Sequence, residues 1–122
     1  MLVYRLIIAG GRGFYDRDLF EIEVNSLIEN DLKNYIVEIV SGMAQGADKM
    51  GHDFASTNGI KCHEFSAQWE LLGRQAGVLR NIHMASFADG LIAFWDGKST
   101  GTKHIIQIMS NKNKPVSIVL YD

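Results

Sequence analysis

Five apolar runs with β-branched residues alternate along the chain with stretches of helical periodicity, and no other feature narrows the fold as much. The runs are Tyr4 to Ala9, Tyr35 to Val40, Ile60 to Phe65, Leu91 to Trp95 and Val116 to Leu120. Between them Phe20, Val24, Leu27 and Ile28, and further on Ala47, Met50, Phe54 and Ala55, recur at the spacing of an amphipathic helix face. Asn58-Gly59 closes the second of these helices in a manner suited to a left-handed cap. Val78, Ile82 and Ala85 mark a third helix, and Ile105, Ile108 and Met109 a fourth that ends near Asn111, ahead of the single proline, Pro115. The order βαβαβαβαβ, with right-handed crossovers, predicts an α/β fold: a doubly wound parallel sheet of five strands in order 3-2-1-4-5, helices on both faces, strands 1 and 4 central.

A length of 122 residues and 47% apolar content suit one domain over residues 1–122, and neither a repeat nor a linker interrupts the pattern. The longest irregular stretch is Ser66 to Gly73. A net charge of −2 gives no overall attraction to nucleic acid or anionic membrane, so any basic site must be focused. The amino terminus runs directly into a strand-like segment without the features of a secretory signal, and the lone Cys62 excludes an internal disulfide. Both point to a cytoplasmic protein with no membrane partner. His52, His63, His83 and His104 show no metal-ligand spacing, so neither a metal site nor a cofactor is expected.

Function is concentrated in three glycine-rich turns that leave the carboxyl ends of strands 1, 2 and 4. They are Gly10-Gly11-Arg12-Gly13-Phe14, Ser41-Gly42-Met43-Ala44-Gln45-Gly46-Ala47-Asp48, and Asp96-Gly97-Lys98-Ser99-Thr100-Gly101-Thr102. Such turns share one edge of an open parallel sheet, so they are expected to line one pocket. Glycine lets a ligand approach the backbone amides, and the following helix supplies unpaired N–H groups and a positive dipole end, a combination that favours phosphate. The first turn lacks the third glycine of a dinucleotide fingerprint, where Asp16 stands, and no Walker A sequence occurs.

Several side chains around these turns are candidate ligands, each with a structural alternative. Arg12 suits a bidentate phosphate contact. Asp48 suits a ribose hydroxyl or, structurally, the dipole of the helix it begins. Asp96 sits at the switch point of the sheet and serves either chemistry or turn capping. Ser99 and Thr102 offer hydroxyls to a phosphate or to the helix as caps. Trp69 either covers the pocket and stacks on a base or anchors its loop over the core. Arg74, Ala76, Gly77, Arg80 and Asn81 gather at the start of the third helix, where two guanidinium groups call for an anion or another subunit.

Taken together, Gly10-Gly11-Arg12, Ser41-Gly42-x-Ala44-x-Gly46-Ala47-Asp48, Trp69, Ala76-Gly77-x-x-Arg80-Asn81 and Ala88-Asp89 to Asp96-Gly97-x-Ser99-x-Gly101-Thr102 resemble the SLOG superfamily in its YspA-like branch. The resemblance implies a Rossmann-like domain that binds nucleotides or nucleotide-derived ligands, such as ADP-ribose or NAD, through the three turns, and it implies a homodimer or higher homo-oligomer. SLOG relatives include phosphoribohydrolases, a single-strand-binding recombinase loader and ligand sensors, so function varies within the fold. The phosphoribohydrolase motif carries a glutamate where this chain has Ile105. Binding or sensing of a nucleotide-derived ligand is therefore the expected function. A nucleoside monophosphate N-glycosidase using Asp96 is the enzymatic alternative, and single-stranded nucleic acid binding is a third possibility. The residues expected to hold the ligand are Gly10, Gly11, Arg12, Gly42, Gly46, Asp48, Trp69, Arg74, Gly77, Arg80, Asn81, Asp96, Gly97, Ser99, Gly101 and Thr102.

Overall fold

A computed structural model describes residues 1–73 and 75–122. Five strands, β1 (Leu2–Gly10), β2 (Tyr35–Ser41), β3 (Cys62–Glu64), β4 (Gly90–Trp95) and β5 (Val116–Leu120), form one sheet in the order β3-β2-β1-β4-β5. Every pairing is parallel, with Leu2 opposite Tyr35, Gly10 opposite Phe94 and Trp95 opposite Leu120. The helices are α1 (Arg17–Ser26), which runs into a π-helical turn at Leu27–Asp31, then α2 (Ala47–Thr57), α3 (Trp69–Leu72), α4 (Gln75–Phe87) and α5 (Thr100–Asn111). The expected order and strand arrangement are those observed.

Successive side chains of a strand face opposite sides of a sheet, so a strand buried on both faces must be apolar throughout. In β1, Leu6 and Ile8 enter one core with Phe20, Val24 and Ala55, whereas Ile7 and Ala9 enter the other with Met84, Ala85, Ile105 and Met109. In β4, Ile92 and Phe94 join the first core and Leu91 and Ala93 the second. Thus α1 and α2 cover one face, α4 and α5 the other. Each fully buried Leu, Ile or Phe contributes about 1.5–3 kcal/mol through removal from water, which makes the β1–β4 pair the most stable platform for a site at its carboxyl edge.

Three local expectations change. The third strand spans only Cys62–Glu64, because the amide of Ile60 is taken by the carbonyl of Ala55 at 2.8 Å in the cap of α2, where Gly59 adopts φ +64°. Helix α4 buries Ala76, Asn81, Met84 and Ala85 rather than the Val78–Ile82 stripe, and both Val78 and Ile82 are exposed. Ala76 and Ala85 on that face suit the close approach of α4 to α5. Finally, the stretch read as irregular, Ser66 to Gly73, contains the short helix α3.

Candidate functional site

The first and third glycine turns face each other across the ends of β1 and β4, and between them lies a cleft of about 780 Å³. Gly10 to Gly13 form one wall, Asp96 and Ser99 to Thr102 another, and Ala44 and Asp48 of the second turn a third. Gly77, Arg80, Asn81 and Trp69 close it from the side of α3 and α4. The shared pocket at the switch point is therefore present, as the order of strands requires.

The second turn is built to bring Asp48 inward. Gly46 has φ +81°, and a methyl group there would overlap the carbonyl of Gly11, so the turn nests against the first one through its bare backbone. Ser41 donates its hydroxyl to the Asp48 carbonyl at 2.9 Å and accepts the Met43 amide at 3.1 Å. The Asp48 side chain, only 4% exposed, accepts the Gly10 amide at 3.3 Å. Burial raises its pKa to about 6, against the pull of Arg80 and of the backbone amides that it accepts. Gly42 separates the two charges: a Cβ there would lie 2.7 Å from Asp48 Oδ2 and 2.8 Å from Arg80 Nη1.

Arg80 donates to the Gly42 carbonyl at 2.7 Å and to Asn81 Oδ1 at 3.0 Å. Burial lowers its pKa, the Asp48 carboxylate opposes that, and the neighbouring Arg12 adds to it. Two guanidinium groups thus repel one another beside the cleft, and among the described residues neither has a carboxylate within 4.0 Å. An anion placed between them would relieve both. Arg12 also lies 5.9 Å from the centre of the Trp69 ring, within the range of a cation–π contact.

Trp69 begins α3, is half exposed, and belongs to neither core. Its ring stands against Gly77, where a Cβ would come within 3.1 Å. It also borders a second hollow of about 380 Å³ together with Arg12, Gly42, Ala44, Ser66 and Arg80. Arg12, Ala44, Trp69 and Arg80 line both spaces, so one elongated ligand has room to cross from one to the other.

The third turn holds its acidic residue at the exposed rim of the cleft. Asp96 Oδ1 accepts the amides of Lys98 and Ser99, each at 2.8 Å, and these bonds keep its pKa below the ordinary carboxyl value. Ser99 precedes α5 but makes no side-chain cap; its hydroxyl meets Thr102 Oγ1 at 3.2 Å instead. Among the described residues the amides of the first turn of α5 are thereby left without a side-chain partner, at the positive end of a helix that borders the cleft.

Of the expected residues, Gly10, Gly11, Arg12, Asp48, Trp69, Gly77, Arg80, Asn81, Asp96, Ser99, Gly101 and Thr102 all line the main cleft. Gly42 lines the adjoining hollow. Gly46 and Gly97 line neither; both have φ +81° and shape their turns. Arg74 lies outside the described residues. His104 and Tyr121 are among the cleft residues that the sequence-based set does not include. His104 Nδ1 lies 3.1 Å from Asn81 Nδ2. Tyr121 packs on Phe14 with ring centres 4.8 Å apart, and burial followed by the Asp96 charge raises its pKa. The helical register shows the first in retrospect, since His104 follows Gly101 by three residues on one face. The second lies just beyond the carboxyl end of β5.

Comparison with known proteins adds three similarities. Residues 4–71 match the family described as the YspA, cpYpsA-related SLOG family. The chain is 34% identical to the Gene 61 protein of Mycobacterium phage D29, over 92% of this chain and 93% of that protein. Its fold is similar to that of DNA processing protein A (DprA) from Streptococcus pneumoniae, with a TM-score of 0.74 and 18% identity over 99% of this chain. The chain spans about half the length of that neighbour, 51%.

Proposed function

Because this chain belongs to the YspA, cpYpsA-related SLOG family, we propose that its cleft binds a nucleotide or nucleotide-derived ligand of the ADP-ribose or NAD type. One observation carries the reading: the glycine turns after β1 and β4, the uncapped start of α5 and the Arg12–Arg80 pair all converge on a single cleft. In this reading the phosphate sits on the amides of Gly101 and Thr102 at the start of α5, with Arg12 and Arg80 beside it. The half-exposed Trp69 offers a face to the base, and Asp48 accepts a ribose hydroxyl. Ligand protection of the folded state is the direct test. ADP-ribose or NAD should raise the melting temperature of the wild type and leave the Arg12→Ala/Arg80→Ala variant unmoved, and equal behaviour of both proteins defeats the reading.

A specific observation supports a second reading, hydrolysis of an N-glycosidic bond. Two carboxyl groups line the cleft with opposed tendencies: Asp48 holds its proton to about pH 6, whereas two backbone amides keep Asp96 ionised. Carboxyls separated in this way suit an acid that protonates a leaving base and an anion that stabilises an oxocarbenium-like sugar. Water then adds across the bond to give free base and ribose phosphate. Mass spectrometry of the ligand after incubation separates the readings, since intact ligand supports binding and free base supports hydrolysis.

Self-association and a cytoplasmic location belong to the same proposal. Leu71 and Leu72 of α3 and Val78 and Ile82 of α4 are exposed apolar residues, and sedimentation at two concentrations tests for a dimer. Among the described residues no helix is long and apolar enough to cross a membrane.

A further inference from the structure

Asn81 is 5% exposed, and its amide group is fixed from two directions. Its Oδ1 lies 3.0 Å from Arg80 Nε, which can only donate, and its Nδ2 lies 3.3 Å from the carbonyl of Gly101, which can only accept. The same Nδ2 lies 3.1 Å from His104 Nδ1. An amide nitrogen does not accept hydrogen bonds, so His104 Nδ1 must carry the lone pair, and the neutral ring keeps its proton on Nε2. With Nδ1 turned to α4, Nε2 occupies the opposite edge of a ring that lines the cleft, one helical turn beyond Gly101.

We propose that His104 selects the ligand through this Nε2–H, which donates to an oxygen of the phosphate held by the amides of Gly101 and Thr102. Asn81 is a positioning residue: it touches no ligand, yet it sets the tautomer of the ring and links it through Arg80 to the Gly42 carbonyl of the second turn. The inference rests on the phosphate-binding reading and adds a requirement. The group beside α5 must present an acceptor, because a ligand offering only a donor there meets another donor.

Imidazole nitrogen NMR with inorganic phosphate as the probe tests both parts. Without phosphate, the neutral form of the His104 ring should carry its proton on Nε2, and Asn81→Asp should transfer that proton to Nδ1. On titration the amides of Gly101 and Thr102 and the Nε2 of His104 should shift together. His104→Gln, whose amide can donate from about the Nε2 position, should bind phosphate within about twofold of wild type; His104→Asn should bind about tenfold more weakly, as expected for one lost hydrogen bond to a charged group. A proton found on Nδ1 in the wild type overturns the inference. So does a response of the α5 amides without His104, which leaves the phosphate reading standing. Silence from all three groups refutes both.

Discussion

Replacement of Asp48 by Asn should stabilise the protein above pH 6 and cease to do so in acid. The carboxyl is 4% exposed, and burial moves its pKa from the ordinary 3.8 to about 6. That interval corresponds to about 3 kcal/mol of destabilisation once the group is ionised in the folded state. The sign follows from proton uptake. Between pH 3.8 and about 6 the folded protein holds a proton that the unfolded chain releases, so stability rises as pH falls through this window, and below it the penalty is gone. Asn keeps an oxygen for the Gly10 amide and carries no charge, although its NH₂ adds a donor beside Arg80. The expected gain is therefore about 2–3 kcal/mol at pH 8, or about 1–2 M in the urea midpoint, closing to zero or below by pH 4. Urea unfolding of both proteins at five pH values between 4 and 8 measures it. A difference that stays constant with pH, or that favours wild type at pH 8, refutes the assignment of a strained carboxylate at this site.

Gly11→Ala should displace Tyr121, whose hydroxyl occupies the space of the new methyl; adding Tyr121→Phe should restore much of the loss, and a double-mutant cycle in urea reads the coupling. Gly51→Ala places a methyl 2.8 Å from the Cβ of Ile8, beneath the centre of β1. Overpacking of about 1–3 kcal/mol there exceeds the gain of about 1 kcal/mol in helix propensity, so thermal unfolding should show net destabilisation. Asp96→Asn retains an oxygen for the Lys98 and Ser99 amides; it should preserve the fold and ligand binding while abolishing any release of free base, and turnover by this variant excludes Asp96 from the chemistry. Single-stranded DNA should bind weakly and be lost by about 0.15 M salt, as the net charge of −2 implies; a shift persisting at that salt would favour the nucleic-acid alternative.

The sheet was legible because its information is local. Two-sided burial makes β1 and β4 continuous apolar runs, and glycine punctuates their ends, so strand order and the position of the cleft followed from sequence neighbours alone. What escaped depends on contacts across the chain. Val78 and Ile82 stand four residues apart, as do Asn81 and Ala85, and only the packing of α4 in the fold decides which stripe is buried. His104 was set aside with the other histidines because no metal spacing includes it; its partner Asn81 stands 23 residues away. For Asp48 and Asp96 the sequence leaves a ligand or chemical role open beside a helix-dipole or turn-capping one. Their opposite pKa shifts arise from burial in one case and from two short backbone bonds in the other.

Ile105 shows how the two carboxyls relate to the rest of the cleft. It stands where the phosphoribohydrolase motif resembled by this chain has a glutamate, and it is 1% exposed in a core shared with Met84, Leu91 and Met109. The position is thus part cleft floor and part hydrophobic core. A glutamate there would bring its charge into apolar surroundings at a cost of several kcal/mol unless an arginine turned to meet it, and Arg80 is already engaged by Gly42 and Asn81. Ile105→Glu alone should therefore unfold at markedly lower urea without creating hydrolysis. In the hydrolytic reading the chemistry then falls to Asp48 and Asp96 on separate walls of the cleft, an arrangement that the motif itself does not describe. If Ile105→Glu instead folds as well as wild type and releases base, the cleft floor is more accommodating than its packing implies, and the glutamate route is open after all.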